Sequence, residues 1–268
     1  MLELNKVYHG DSSEILKQLD DESIDLVVTS PPYDSLRKYR AEKSDWNETM
    51  FKNIANELAR TLKPGGVIVW NVNDQTENGG KTCTSFRQCL YFVDQCGLKL
   101  TDTMIWYKPN PVPPIPRPRY TDCFEYMFIL SKGIPKTFNP IMRKSKSAGK
   151  EYTATFKKIG TDDERREATI VAKDEIVDFN VWEIPVGTKQ DKFNIDGKDI
   201  KHPAIFPYDL PYKHIRTWSN PNDVVLDPFA GSGTTLMAAN ALNRKFIGIE
   251  RNEMYYKLIN AKLNETLW

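Results

Sequence analysis

Ile24-Asp25-Leu26-Val27-Val28-Thr29-Ser30-Pro31-Pro32-Tyr33 reads as a short apolar run that ends in a rigid turn. A run of this length, rich in β-branched and aliphatic residues and closed by a breaker, predicts a buried strand. Pro31 and Pro32 remove two backbone donors and fix two φ angles. Open α/β sheets bind ligands in the crevice beyond the carboxyl ends of their strands, and the turn would sit there. A hydroxyl, bare carbonyls and an aromatic ring in this order can accept hydrogen bonds from an exocyclic amino group and stack on the ring that carries it. Nucleobases are the obvious planar amines.

Outward from this run the pattern alternates between strands and helices. Val7 to His9 predicts a strand, and Ser12 or Ser13 caps a helix to Leu19. Asp45 and Glu48 have the spacing of a capping box, followed by Met50, Phe51, Ile54, Leu58 and Leu62 at helical intervals up to Lys63-Pro64-Gly65-Gly66. Val67 to Trp70 reads as a strand, Phe86, Leu90 and Val93 as a helix ended by Gly97, and Leu100 to Trp106 and Phe124 to Leu130 as two more strands. The stretch from Pro109 to Pro118 is too rich in proline for either element. Strand character returns at Asp223 to Asp227 and Phe246 to Glu250, with a helix through Leu236, Met237 and Ala239 between them and a last helix from about Asn252 to Leu263.

Residues 131–200 interrupt this alternation. Within 131–160 stand Lys132, Lys136, Arg143, Lys144, Lys146, Lys150, Lys157 and Lys158 against a single acid, Glu151. The chain as a whole, 268 residues with a formal net charge of +1, does not advertise a polyanion partner, so any nucleic-acid surface must be local. No apolar stretch reaches the roughly 20 residues of a membrane span, and Met1 to Asn5 lacks the regions of a signal peptide. A cytoplasmic setting without membrane contact is expected. Cys83, Cys89, Cys96 and Cys123 lack metal-binding or framework spacing, as do His9, His202 and His214, so no metal is expected.

A second motif, Asp227-Pro228-Phe229-Ala230-Gly231-Ser232-Gly233-Thr234-Thr235, joins the strand at Asp227 to a helix. Small residues here let a ligand approach the backbone, and the helix N-terminus suits a carboxylate. A phosphate loop would require a lysine after Gly233, and the dinucleotide fingerprint a third glycine where Leu236 or Met237 stands. Glu250, ending the next strand, is placed to accept the hydroxyls of a ribose. A carboxylate site followed by a ribose site describes S-adenosylmethionine better than a phosphorylated cofactor.

Together, Thr29-Ser30-Pro31-Pro32-Tyr33, the loop from Asp227 to Thr235 and Ile247-Gly248-Ile249-Glu250 resemble the DNA amino-methyltransferases of the permuted class, whose catalytic motif precedes the cofactor loop. The resemblance covers most of residues 5–130 and 200–265. It implies an α/β fold with a Rossmann-like seven-stranded methyltransferase sheet, divided into a catalytic half (1–130), a target-recognition insertion (131–200) and a cofactor-binding half (201–268). It implies that Ser30, Pro31, Pro32 and Tyr33 hold the target base. Asp227, Pro228, Phe229, Ala230, Gly231, Ser232, Gly233 and Thr234 would hold the methionine part of S-adenosylmethionine, Glu250 its ribose and Asp11 its adenine, with His202 and Pro203 closing over the tail. Arg37, Lys38, Arg117, Arg119, Arg143, Lys144 and Lys146 are candidate contacts to double-stranded DNA.

The expected reaction moves a methyl group to the exocyclic amino nitrogen of a flipped base. Ser at position 30 favours N4 of cytosine, with N6 of adenine as the alternative and an RNA or protein amide as a more distant one. None of the four cysteines follows a proline, which sets aside C5-cytosine chemistry. The resemblance brings two further candidate partners, a second copy of the chain and a cognate restriction endonuclease.

Overall fold

The computed structural model describes residues 2–32, 46–111, 119–157, 165–187, 193–195, 198–200 and 206–266. The opening run forms β2 (Ile24–Thr29), buried along its whole length, as expected of a strand whose two faces are both covered by helices. Before it come β1 (Lys6–His9), α1 (Ser12–Ile15) and a 3-10 turn (Leu16–Gln18). After it, α2 (Glu48–Thr61) is capped by Asn47, whose side chain accepts from Met50 N at 3.0 Å. Asp45, the residue expected to cap it, lies outside the described residues. Phe51, Ile54 and Leu58 form the buried stripe of α2, each contributing about 1.5–3 kcal/mol of apolar burial.

The helix ends at Thr61, just before Lys63 to Gly66 as expected, and β3 (Leu62–Val72) starts immediately, so the stop itself lies within a strand that begins earlier than the expected Val67. Then follow α3 (Thr84–Asp94), β4 (Lys99–Tyr107) and β5 (Phe124–Ser131). Helix α3 buries Ser85, Gln88, Cys89 and Phe92, while Phe86 and Leu90 face outward. Beyond the central stretch lie α4 (Asp209–Trp218), β11 (Val224–Asp227), α5 (Thr234–Ala241), β12 (Lys245–Glu250) and α6 (Glu253–Thr266), the labels β6 to β10 belonging to the segment between.

Residues Pro140–Phe179 form a compact unit of their own within the expected insertion, and the rest of the chain forms the other. In the smaller unit β6 (Met142–Lys144) pairs antiparallel with β9 (Glu175–Val177), and β7 (Glu151–Lys157) with β8 (Arg165–Val171). In the larger unit β10 (Val181–Glu183) completes an eight-stranded sheet of order β1-β12-β11-β2-β3-β5-β4-β10. Seven of these strands are the expected series. Strand β5 runs antiparallel to both β3 and β4, and β10 adds the eighth strand, parallel to β4 at Ile105 to Tyr107. Trp70 and Trp106 are buried. Among the described residues no helix is long and apolar enough to cross a membrane.

Candidate active site

Strand β11 leads through α5 to β12 on one side of the sheet, whereas β2 leads through α2 to β3 on the other. The chain therefore diverges between β11 and β2, and such a switch point opens a crevice at the carboxyl ends of the strands. Parallel pairing of Val225 with Leu26 and Leu226 with Val27 brings the ends of the two strands side by side. Thr29 Oγ1 donates to Asp227 Oδ1 at 2.7 Å, directly joining the two motifs. The same carboxylate oxygen accepts Phe229 N at 3.0 Å. Burial pushes the Asp227 carboxyl up, against the pull of those hydrogen bonds.

Beyond Asp227 the chain folds back on itself. Ala230 N donates to Ile249 O at 2.9 Å and Gly233 N to Ala230 O at 2.7 Å. Gly233 stands at φ 81° before α5, and a Cβ there would meet Ile259 side-chain carbons at 3.0 Å, so both backbone and space require glycine. At Gly248 a Cβ would lie 2.4 Å from Leu236 Cδ1, which lets α5 pack tightly on β12. Ser232 is buried, and Lys262 Nζ donates to its carbonyl at 3.0 Å. Phe229 packs edge-on against Trp46, with ring centroids 5.3 Å apart.

Glu250 ends β12. Its two oxygens accept Gly231 N and Asn252 N, each at 2.7 Å. Burial pushes its carboxyl up to about 7; these backbone donors oppose the rise and the Asp227 charge adds to it. Asp11 caps α1 by accepting Ser13 N at 2.8 Å and Ser13 Oγ at 2.7 Å. Ser12, which the sequence reading treated only as a cap, donates from its Oγ to Pro228 O at 2.5 Å and ties the end of β1 to the glycine loop. No local signal distinguishes Ser12 from Ser13, because its partner lies 216 residues away.

Ser30 is partly exposed and Pro31 buried. One strand over, Asn71 Nδ2 donates to Glu125 Oε2 at 2.6 Å, and Glu125 Oε1 accepts Lys108 Nζ at 2.5 Å. Lys108 also lies over the Trp106 ring, 4.6 Å from its centroid. Sequence reasoning missed this cluster, whose members are scattered over three strand ends. Tyr33, Arg37, Lys38, Arg117, His202 and Pro203 lie outside the described residues. Arg119 donates to Thr76 Oγ1. In the smaller unit Arg143 lies over the Phe179 ring at 3.8 Å and beside Asp178, whereas Lys144 and Lys146 are exposed.

The site therefore brings together a proline turn at the end of β2, a glycine loop before a helix, the buried carboxylate of Asp227 and the partly buried carboxylate of Glu250. The narrow loop at Gly231 and Gly233 and the polar end of β12 fit a ligand with a small zwitterionic end and a hydroxylated ring, the two ends of S-adenosylmethionine. The DNA methylase family model N6_N4_Mtase matches residues 24–261. The orphan methyltransferase M.BamHII of Bacillus amyloliquefaciens is 44% identical over 250 residues, 92% of this chain and 91% of its own. The PvuII DNA methyltransferase, described as cytosine-N4-specific, has the same fold with a TM-score of 0.68 at 24% identity, over 97% of this chain and 90% of that one. The complex of M1.HpyAVI with S-adenosylmethionine matches with a TM-score of 0.61 at 25% identity, over 97% and 98% of the two chains.

Proposed function

This chain belongs to the N6/N4 DNA methylase family, and from that premise we propose that it methylates the exocyclic amino group of a flipped base in double-stranded DNA, N4 of cytosine being the favoured acceptor. The observation that carries this reading is the Thr29–Asp227 hydrogen bond, which sets the amine-accepting turn against the glycine loop at the sheet's switch point. S-adenosylmethionine supplies an electrophilic methyl group. Asp227 and the loop Phe229 to Thr234 would hold its methionine end, Glu250 its ribose, and the β1–α1 turn at Asp11 its adenine.

The residues around the acceptor have a defined task. A base amino nitrogen is a poor nucleophile because its lone pair is delocalised into the ring. Ser30 Oγ and the Pro31 carbonyl, accepting its two N–H groups, would favour the pyramidal nitrogen and aim the lone pair. The base cannot reach this turn inside a duplex, so it must leave the stack, and stacking on Tyr33 would return about 1–3 kcal/mol. Phosphate contacts by Lys144 and Lys146, and by Arg37, Lys38, Arg117, Arg119 and Arg143, would contribute the remainder. Serine at position 30 supports cytosine over adenine, since the enzymes that Ser30 to Tyr33 resembles more often carry serine there for N4-cytosine.

Incubation with unmethylated genomic DNA and methyl-labelled S-adenosylmethionine, followed by digestion to nucleosides and mass spectrometry, tests the reading. Labelled N4-methylcytosine is the expected product. N6-methyladenine would transfer the assignment to the other base, and label in RNA or protein alone would overturn it.

A further inference from the structure

We infer that Thr29 is a positioning residue that couples occupancy of the glycine loop to the geometry of the amine-accepting turn. Thr29 is fully buried at the last position of β2, its backbone held in register opposite Trp70 of β3. Its side chain crosses the switch point to Asp227 Oδ1, the oxygen that also takes Phe229 N. Its carbonyl carbon is bonded to Ser30, and Ser30 precedes two prolines. Proline fixes its own φ and restricts the residue before it, so this connection has little slack. Displacement of the loop at Phe229 is passed through one carboxylate oxygen and one hydroxyl to the residue whose own oxygen would receive the amine.

The register carries the argument beyond a single contact. Thr29 pairs with Trp70, and the residue after Trp70 on β3 is Asn71, which is anchored through Glu125 to Lys108. On that side β2 is paired with a strand whose end is held by a largely buried ion pair. On the other side Thr29 offers one neutral hydroxyl to a carboxylate that burial already disfavours. The end of β2 thus has a firm wall and an adjustable one, and Thr29 belongs to the adjustable one.

This inference rests on the methyl-transfer reading, and binding measurements separate the two. The affinity for S-adenosylhomocysteine is measured with and without saturating unmethylated genomic DNA, in the wild type, Thr29→Val and Thr29→Ser. Coupling between two sites is reciprocal and typically worth 5- to 150-fold in affinity; about tenfold is expected for the wild type. Valine keeps the shape and loses the donor, so its ratio should fall to about one, while affinity for S-adenosylhomocysteine alone changes several-fold less than the ratio. Serine keeps the donor and should retain the wild-type ratio. A wild-type ratio of one, an unchanged ratio in Thr29→Val, or equal loss in both variants would each overturn the role of Thr29. If the wild type fails to label DNA at all, the methyl-transfer reading falls instead.

Discussion

Asp25 and Asp227 are both buried carboxylates on adjacent parallel strands, at opposite ends of the same sheet. Asp25, near the start of β2, accepts Lys63 Nζ at 2.7 Å, Lys136 Nζ, and Val224 N at 2.9 Å. Burial alone would raise its pKa, but the hydrogen bonds from Lys136, Lys63 and Val224 outweigh that and hold it below the ordinary value. Asp227, at the end of β11, has a hydroxyl and a backbone amide where Asp25 has two ammonium groups, and Glu250 adds to its negative surroundings. Its pKa moves the opposite way. The amino end of the sheet is thus electrostatically closed and serves the fold. At the carboxyl end, the described partners of Asp227 and Glu250 are a hydroxyl and backbone amides rather than ammonium groups, which leaves both acids able to accept from a cationic or hydrogen-bond-donating ligand.

The largest effect should come from the open end. Glu250→Gln keeps most of the side-chain volume but removes the charge, and a hydrogen bond to a charged group contributes about 1.5–3 kcal/mol. Isothermal titration should show affinity for S-adenosylmethionine falling by roughly 10- to 150-fold, with turnover at saturating cofactor falling less. Tyr33→Ala should reverse that ranking, and equal losses of cofactor binding in both would erase the distinction between the two sub-sites.

At the closed end, Asp25→Ala should cost about 2 kcal/mol in chemical denaturation, because Val224 N and two ammonium groups lose a charged acceptor, while methyl transfer per folded molecule holds. A larger loss of activity than of folded protein would contradict a purely structural Asp25.

The two ends should also differ in the sign of their pH response. Asp25 is more acidic folded than unfolded, so the stability it contributes is present above about 3.8 and lost as pH falls through its lowered value. Glu250 titrates near 7 in the folded chain against 4.5 unfolded, so the ligand-free protein should lose stability as pH rises across that window. On the proposed role of Glu250 as acceptor for the ribose hydroxyls, cofactor binding would use the ionised form and should strengthen over the same range. Thermal melts of Asp25→Asn and Glu250→Gln should each flatten one arm of the profile. The smallest effect concerns DNA: Lys144→Ala and Lys146→Ala should each reduce the slope of log K against log salt by about one, with cofactor affinity unchanged.

Most of the sheet was legible because its strands are short apolar runs closed by glycine, proline or acid. The limits of α2 were legible from its periodicity, but the residue that caps it is Asn47, whose competence depends on its extended backbone. Phe86 and Leu90 have helical spacing yet face outward, since α3 turns Cys89 and Phe92 inward under the pull of Phe51 and Trp70. Helix α4 escaped the sequence reading although Leu210, His214, Ile215 and Trp218 make its buried stripe, because a proline within its first turn and the irregular stretch before it masked the pattern. Strand β10 is three residues long and exists through pairing with β4.

The order of motifs, the proline turn and the glycine loop determined the fold class and the chemistry, because those residue types restrict the backbone locally whatever surrounds them. The joining of the two motifs by Thr29 and Asp227 was decided only by the tertiary structure, as were the hold of Ser12 on Pro228 and the cluster of Asn71, Glu125 and Lys108. Thr29 and Asp227 are 198 residues apart in the chain. Local backbone preference cannot specify such a contact; it forms because the crossovers of the sheet bring two strand ends together, and a buried carboxylate there must find a donor.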